Sequence, residues 1–117
     1  MPHDDDRTRL FHMWEAASEA LAFTNTRTRD DLDHDKLFQY AVIHLLEIIG
    51  EAAGKVGPEI RSANPDIPWG SIVGMRNRLT HGYFDINLNL VWFTLTESLP
   101  QLLPALTRIL REEGVIE

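Results

Sequence analysis

Residues 37–53 read LFQYAVIHLLEIIGEAA and form the most apolar stretch of the chain. Apolar residues recur there at steps of three and four, the period of an α-helix. They make two adjacent stripes: Leu37, Ala41, Leu45, Ile48 and Ala52 in one, and Val42, Leu46, Ile49 and Ala53 in the other. A helix that is apolar over so wide an arc must be covered on two sides. The stretch therefore predicts the middle helix of a bundle, or an edge helix that a second subunit closes.

Helical periodicity also occurs on the N-terminal side of this stretch. Residues 7–23 place apolar side chains on one face and charged ones elsewhere, which predicts an amphipathic first helix. Residues 24–35 are polar and acid-rich, so we expect a connection that ends where the central helix starts, near Asp35. Gly54 and Gly57 are expected to end the central helix.

The C-terminal half has the same character. A short helical turn at 59–63 is followed by a connection with two prolines, of which Pro68 suits the first position of a third long helix over 69–81. The side chains of that helix expected in the core are Trp69, Ile72, Val73 and Leu79. Residues 90–110 are again helical in period, with Asn87 or Asn89 as cap. A kink, or two abutting helices, is expected at the two prolines of this stretch, Pro100 and Pro104.

No alternating strand pattern of useful length occurs, so the chain is predicted to be all-α. We expect one domain over residues 1–117, an antiparallel helical bundle of four to five helices. The 117 residues suffice for one core, and the absence of cysteine excludes disulfides and thiolate metal sites. No stretch is apolar enough to cross a membrane and the start lacks a secretory signal, so the expected location is cytoplasmic.

Charge restricts the function further. The chain has 11 Lys and Arg against 18 Asp and Glu, a formal net charge of −7. This balance argues against a protein that coats nucleic acid indiscriminately, because such binding uses many contacts between basic side chains and phosphates. A small local basic site remains compatible with it.

One such site is found at residues 76–83, RNRLTHGY. Within eight residues it carries two guanidinium groups, an amide, an imidazole and a phenol. Arginine offers a planar fork to phosphate oxygens, and histidine titrates near neutral pH. These are groups that can bind a phosphodiester and move protons on it. The candidate residues are Arg76, Asn77, Arg78, His81 and Tyr83.

Spacing alone does not single out this segment. An arginine five residues before a histidine also occurs at Arg7 and at Arg29, although only the pair at 76 and 81 has a tyrosine two residues further on. The segment is also what a helix end looks like, with basic side chains in the last turn and Gly82 as cap.

Three separated segments together are more specific: LEIIGEA at 46–52, PDIPW at 65–69 and GMRNRLTHGY at 74–83. In this order they resemble the HepT-like toxins of the HEPN superfamily, found in HepT/MntA toxin–antitoxin systems. The motif of that family is an arginine, four residues, a histidine, one residue and a tyrosine. Arg76, His81 and Tyr83 match it, and Asn77 matches the polar residue that commonly follows the arginine.

The resemblance implies a function and its residues. It implies a helical homodimer, or a higher oligomer, with the active site in the cleft between subunits. It implies an endoribonuclease that needs no metal or other cofactor, with Arg76 and His81 catalytic and Asn77 in support. It further implies an RNA substrate and a nucleotidyltransferase antitoxin of the MntA type, which silences the enzyme by adenylylating Tyr83.

Elementary chemistry agrees with this implication. Cleavage of RNA by its own 2′-hydroxyl needs a base, an acid and a cation for the charged phosphorane. One His81 per chain supplies one proton carrier, whereas a symmetric dimer presents two.

Two other functions stay open from the residues alone. The same segment would serve a non-catalytic helical module that docks a nucleotidyltransferase and binds nucleotide or RNA. It would also serve a purely structural dimer with a well-capped helix end. Elsewhere, His44 is expected to be a core or interface residue, residues 33–35 are not expected to hold a metal, and the tryptophans are expected in the core.

Overall fold

The computed structural model describes residues 4–79 and 85–117, and these residues form helices joined by short connections. The helices are α1 (Asp4–Thr24), α2 (Arg29–His34), α3 (Lys36–Gly54), α4 (Pro58–Ala63), α5 (Trp69–Val73), α6 (Met75–Leu79), α7 (Leu88–Phe93) and α8 (Leu99–Glu112). A π-helical segment, Thr94–Ser98, joins α7 to α8. The all-α prediction is confirmed, with more and shorter helices than expected. None of the helices in the described ranges is both long and apolar enough to cross a membrane.

The central position predicted for residues 37–53 is confirmed. Helix α3 packs against α1, α2, α5 and α6, and α1 also packs along α8. The second apolar stripe is fully buried, as Val42, Leu46 and Ile49 show. The first stripe is not covered along its whole length, because Leu37 at its N-terminal end is 84% exposed. One chain therefore covers most of α3 but not the outer face of its first turns.

The polar connection predicted at 24–35 is wrong in part, because it contains α2. Thr28 and Asp31 form a capping box at the start of this helix, and Leu32 buries its side chain in the core. The central helix starts at Lys36, close to the predicted position, and Asp35 caps it by accepting a hydrogen bond from the Phe38 amide. A hydrogen bond from Arg27, together with that amide, lowers the pKa of Asp35 below its usual value.

The single helix predicted over 69–81 is also wrong. Helices α5 and α6 meet at Gly74, whose amide donates to the carbonyl of Gly70. Glycine weakens a helix interior, and here it separates two five-residue helices. Pro68 precedes α5 as its N-cap rather than occupying the first helical position. Trp69, Ile72 and Leu79 are buried as expected, but Val73 is partly exposed, against the prediction.

The C-terminal helical region begins at Leu88, two residues earlier than predicted. The Asn87 side chain caps it by accepting a hydrogen bond from the Leu90 amide. The expected disturbance near the prolines takes the form of the π-helical segment directly before Pro100. Proline has no amide hydrogen and its ring collides with the carbonyl four residues earlier. The Leu99 amide closes a wider π turn on the Thr94 carbonyl just before Pro100. Pro104 lies inside α8, which continues to Glu112 without a break.

Gly50 allows the backbone of α5 to approach α3 closely. A Cβ atom added at Gly50 would lie 3.2 Å from the Ile72 carbonyl oxygen and 4.0 Å from Cγ of Arg76. At Gly54, one turn later in the same helix, an added Cβ would meet only the methyl groups of Val73, at 3.8 and 3.9 Å. Gly50 thus sets how near α5 and α6 lie to α3.

The two glycines predict opposite effects of alanine on stability. Gly54→Ala should stabilise the fold by roughly 0.5–1 kcal/mol, the usual gain in a helix. Gly50→Ala should destabilise it by about 1 kcal/mol, because the new methyl group presses on a backbone carbonyl. Urea unfolding of the two variants measures the difference. Equal stability of both would contradict the close packing of α5 on α3.

Candidate active site

Arg76 lies on the exposed side of α6 and contacts α3. Its Nη1 donates a hydrogen bond to Oε1 of Glu51 at 3.0 Å, and its Nε lies 3.6 Å from Oε2 of Glu47. Glu47 and Glu51 are four residues apart, so both project from one face of α3. The guanidinium therefore lies across the surface of α3 between two carboxylates.

The guanidinium of Arg76 is held but not buried. Its side chain is 52% exposed, and among the described residues none contacts Nη2. Gly50 lies between the two glutamates in sequence, and the stem of Arg76 passes beside it, with Cγ 4.0 Å from the position of an added Cβ. The arginine thus has a defined position and a donor edge that can bind a further anion, such as a phosphate.

The neighbouring residues of α6 point elsewhere. Asn77 is exposed. Arg78 donates a hydrogen bond from Nη2 to the carbonyl oxygen of Ser71 in α5. Arg76 contacts α3 and Arg78 contacts α5, so the two arginines lie on different sides of α6, as two residues two apart on a helix must.

The structure thus places three of the five candidate residues, Arg76, Asn77 and Arg78. His81 and Tyr83 lie outside the described residues. On the described flanks of that segment, the Leu79 carbonyl accepts a hydrogen bond from the Asn87 amide at 2.6 Å. This contact ties the end of α6 to the start of α7.

The other two arginines with a histidine five residues on have structural contacts. Arg7 donates to Glu113, which joins α1 to the C-terminal end of α8. Arg29 donates to Asn89 and pairs with Asp33. The side chains of Arg7 and Arg29 are 29% and 34% exposed, whereas that of Arg76 is 52% exposed and so more accessible to a ligand.

Three histidines lie within the described ranges, and none is a core residue. His12 and His44 are exposed, so the core alternative for His44 is wrong, while the interface alternative remains a prediction. His44 follows Leu37 and Tyr40 along the outer face of α3, which one chain leaves uncovered. A hydrogen bond with the Asp30 carbonyl and the nearby Asp30 carboxylate raise the pKa of His34.

The charged side chains at residues 33–35 are engaged with neighbouring residues. Asp33 pairs with Arg29, Asp35 pairs with Arg27, and His34 turns back to Asp30. Within residues 4–79 and 85–117, no group of three or more metal-binding side chains occurs.

The tryptophans are core or half-buried, close to the prediction. Trp69 is buried and donates to the Asn64 carbonyl, and Trp14 donates to the Thr107 hydroxyl. Trp92 is partly buried against the core.

Glu47 and Glu51, the partners of Arg76, were not predicted to be site residues. Their signal in the sequence was a pair of carboxylates four residues apart on an otherwise apolar helix, which marks a solvent face. The pattern of α3 alone does not predict that Arg76 pairs with these glutamates, because the pairing depends on how α6 packs on α3.

Comparison with known proteins points to one family. A family model described as "Ribonuclease HepT-like" matches residues 13–109. A Methanocaldococcus jannaschii protein named "Putative RNase" is 35% identical over 102 residues, which cover 87% of this chain and 94% of that protein. "Probable ribonuclease HepT" of Thermococcus cleftensis is 37% identical over 92 residues, which cover 75% of this chain and 84% of that protein. No solved structure shows significant similarity.

Proposed function

This chain belongs to the HepT-like ribonuclease family, and from this we propose that it is an endoribonuclease that cleaves RNA by attack of the substrate's own 2′-hydroxyl. The attack forms a bond from the 2′-oxygen to phosphorus and breaks the bond to the 5′-oxygen. The products are a 2′,3′-cyclic phosphate and a free 5′-hydroxyl. The proton lost by the 2′-oxygen and the one gained by the 5′-oxygen balance, so the reaction needs no metal or cofactor.

In this mechanism the Arg76 guanidinium holds the phosphate and stabilises the phosphorane. The observation that carries the proposal is the position of this side chain, half exposed on α6 and aligned by Glu47 and Glu51. An oriented cation at the surface can accept a phosphate without large rearrangement, which is the condition for electrostatic stabilisation. His81 moves the protons, and Asn77 orients the phosphate or the imidazole.

The direct test uses purified protein, single-stranded RNA and excess chelator. We expect RNA fragments that end in a cyclic phosphate, while DNA of the same sequence stays intact because it has no 2′-hydroxyl. Cleavage of both polymers would overturn the mechanism. RNA binding without cleavage would favour the non-catalytic module instead.

We propose that two copies pair through the outer face of α3, bringing two active-site segments to one cleft. Leu37 and Tyr40 are exposed on this face of α3, and Arg76 of α6 pairs with Glu47 and Glu51 further along α3. Exposed apolar side chains at helical spacing are typical of an interface.

The pairing predicts a change of mass on mutation. Replacing Leu37 and Tyr40 together by glutamate should convert a dimer at micromolar concentration to a monomer and lower cleavage with it, as sedimentation and an RNA assay would measure. Phe93→Glu, which changes an exposed aromatic residue on α7, is the control and should stay dimeric. A monomeric wild type with full activity would contradict the shared cleft.

We further propose that the protein is the toxin of a toxin–antitoxin pair and that a nucleotidyltransferase antitoxin transfers AMP from ATP to Tyr83, releasing pyrophosphate. The added phosphate would compete with substrate for Arg76, and the nucleoside would fill the cleft. A phenol with a pKa near 10 is a poor proton carrier beside a histidine. Tyr83 is therefore assigned to control and not to catalysis.

Tyr83→Phe should keep most of the nuclease activity and escape neutralisation by the co-expressed partner. Mass spectrometry of the wild type should show an increase in multiples of AMP that the variant lacks. Tyr40→Phe, on α3, is the matched control and should still gain AMP. A Tyr83→Phe protein without nuclease activity would assign the phenol to catalysis or folding.

A further inference from the structure

A cavity of about 400 Å³ lies between α5 and α6 on one side and the π-helical segment and α8 on the other. Its interior is apolar, formed by side chains such as Ile49, Ile72 and Leu102. Polar side chains from both walls surround it, among them Arg78, Ser98 and Gln101. An apolar interior with a few polar groups is the usual character of a small-molecule or base-binding pocket, and the volume is in the usual range.

The position of this cavity relates it to Arg76. Arg78 lies on the same helix as Arg76, two residues further on, and on the opposite side of α6. An α-helix with its side chains is about 10–12 Å across. Crossing that distance takes about two or three nucleotides of one strand, so a strand with one phosphate at Arg76 can bring a nucleotide two or three positions away to Arg78.

We propose that this cavity binds the base of a ribonucleotide about two or three positions from the scissile phosphate, with Arg78 contacting the phosphate of that nucleotide. The proposal rests on the proposed ribonuclease function and adds a subsite to it. A nucleobase has apolar faces and a polar edge, which match the interior and the surrounding groups. The exposed guanidinium provides the positive charge that a nucleotide phosphate requires.

Two further features of the cavity agree with a polar ligand edge. The Thr94 and Ser98 side chains reach it from the π-helical segment, and π turns are frequently found at functional sites. Asp66 also lines it, and its carboxylate is 3.5 Å from Arg108. That ion pair reduces the repulsion between Asp66 and a bound phosphate.

Binding to mononucleotides tests the site without any need for cleavage. The probes are 5′-AMP, 5′-GMP, 5′-CMP and 5′-UMP, titrated by NMR. Ala105→Leu extends a side chain into the cavity and should weaken the best-bound nucleotide at least tenfold. Ala22→Leu, on the exposed side of α1, is its control. Arg78→Gln should lower the affinity for nucleotides about fivefold and the affinity for nucleosides, which lack the phosphate, by less. Arg111→Gln is its control, since Arg111 also donates to a backbone carbonyl, that of Glu117.

Binding of short RNA shows whether the cavity accepts a base that is part of an RNA strand or only a free nucleotide. The probes are trinucleotides in which each position in turn is made abasic. For one of the three positions, loss of the base should lower the affinity for the wild-type protein at least fivefold. Ala105→Leu should lose that preference. Wild type that binds abasic and intact RNA equally would overturn the proposal, even if mononucleotides bind. The same preference in a protein that cleaves no RNA would keep the subsite and reject the proposed reaction.

Discussion

Arg76→Ala should lower the rate of RNA cleavage by on the order of 100-fold to 1,000-fold, the usual cost of removing one oriented donor to a transition-state oxyanion. The guanidinium lies between Glu47 and Glu51 with half of its side chain exposed, and it is the group that we propose binds the phosphate. The loss should appear mainly in kcat. A group that stabilises the pentacoordinate phosphorane more than the ground-state phosphodiester contributes most in the transition state.

The fold should survive this change. Exposed ion pairs typically contribute about 0–1 kcal/mol to stability, and the Arg76 side chain is half exposed. Thermal unfolding of Arg76→Ala should therefore stay close to that of the wild type. This separates a loss of chemistry from a loss of structure.

Two matched variants make the result specific. Arg29→Ala removes an arginine that also precedes a histidine by five residues and also pairs with a carboxylate, Asp33. It should keep its activity. Arg78→Ala should raise KM rather than lower kcat, since that side chain lies toward α5. If Arg78→Ala were inactive and Arg76→Ala active, the catalytic face of α6 would be the opposite one.

The central helix could be predicted from sequence because its information is local. Burial of α3 depends on apolar residues at helical spacing, and each of the residues 37–53 carries part of that pattern. The caps were equally predictable at Asp35 and Asn87, because one side chain and one nearby amide form each of them.

Short helices were harder to predict for a physical reason. Helix α2 has six residues and one buried side chain, Leu32, so it has almost no period to detect. Its stability comes from the capping box and from packing on α3. The break at Gly74 was missed for a related reason, since a single glycine lowers helix stability without deciding whether the helix ends.

The site was predictable in part. The resemblance over three separated segments assigned Arg76 and Asn77 to the site, and both assignments stay predictions. The contacts of Arg76 with Glu47 and Glu51 depend on α6 crossing α3, and Gly50 controls that crossing. Such contacts between helices do not follow from the pattern of either helix alone. The cavity beside Arg78 is likewise a product of packing between several elements, namely α3, α5, α6, the π-helical segment and α8.

His81→Ala should lower cleavage by on the order of 100-fold or more, because it removes the proton carrier of the proposed reaction. Histidine is suited to this part because its side chain titrates near neutral pH and can serve as base or acid. His34→Ala is the control, since His34 also follows an arginine by five residues and is exposed on α2. It should keep full activity.

Mixed dimers of wild type and His81→Ala test whether both imidazoles act in one cleft. If one His81 takes the proton from the 2′-hydroxyl and the partner subunit's His81 gives one to the 5′-oxygen, only dimers with two intact copies react fast. With subunits mixed in equal amounts, activity should then fall to about one quarter of the wild-type value, the share of intact pairs in a symmetric dimer. A fall to one half would mean that each chain cleaves with a single histidine, and the second proton would then have to come from water or another side chain.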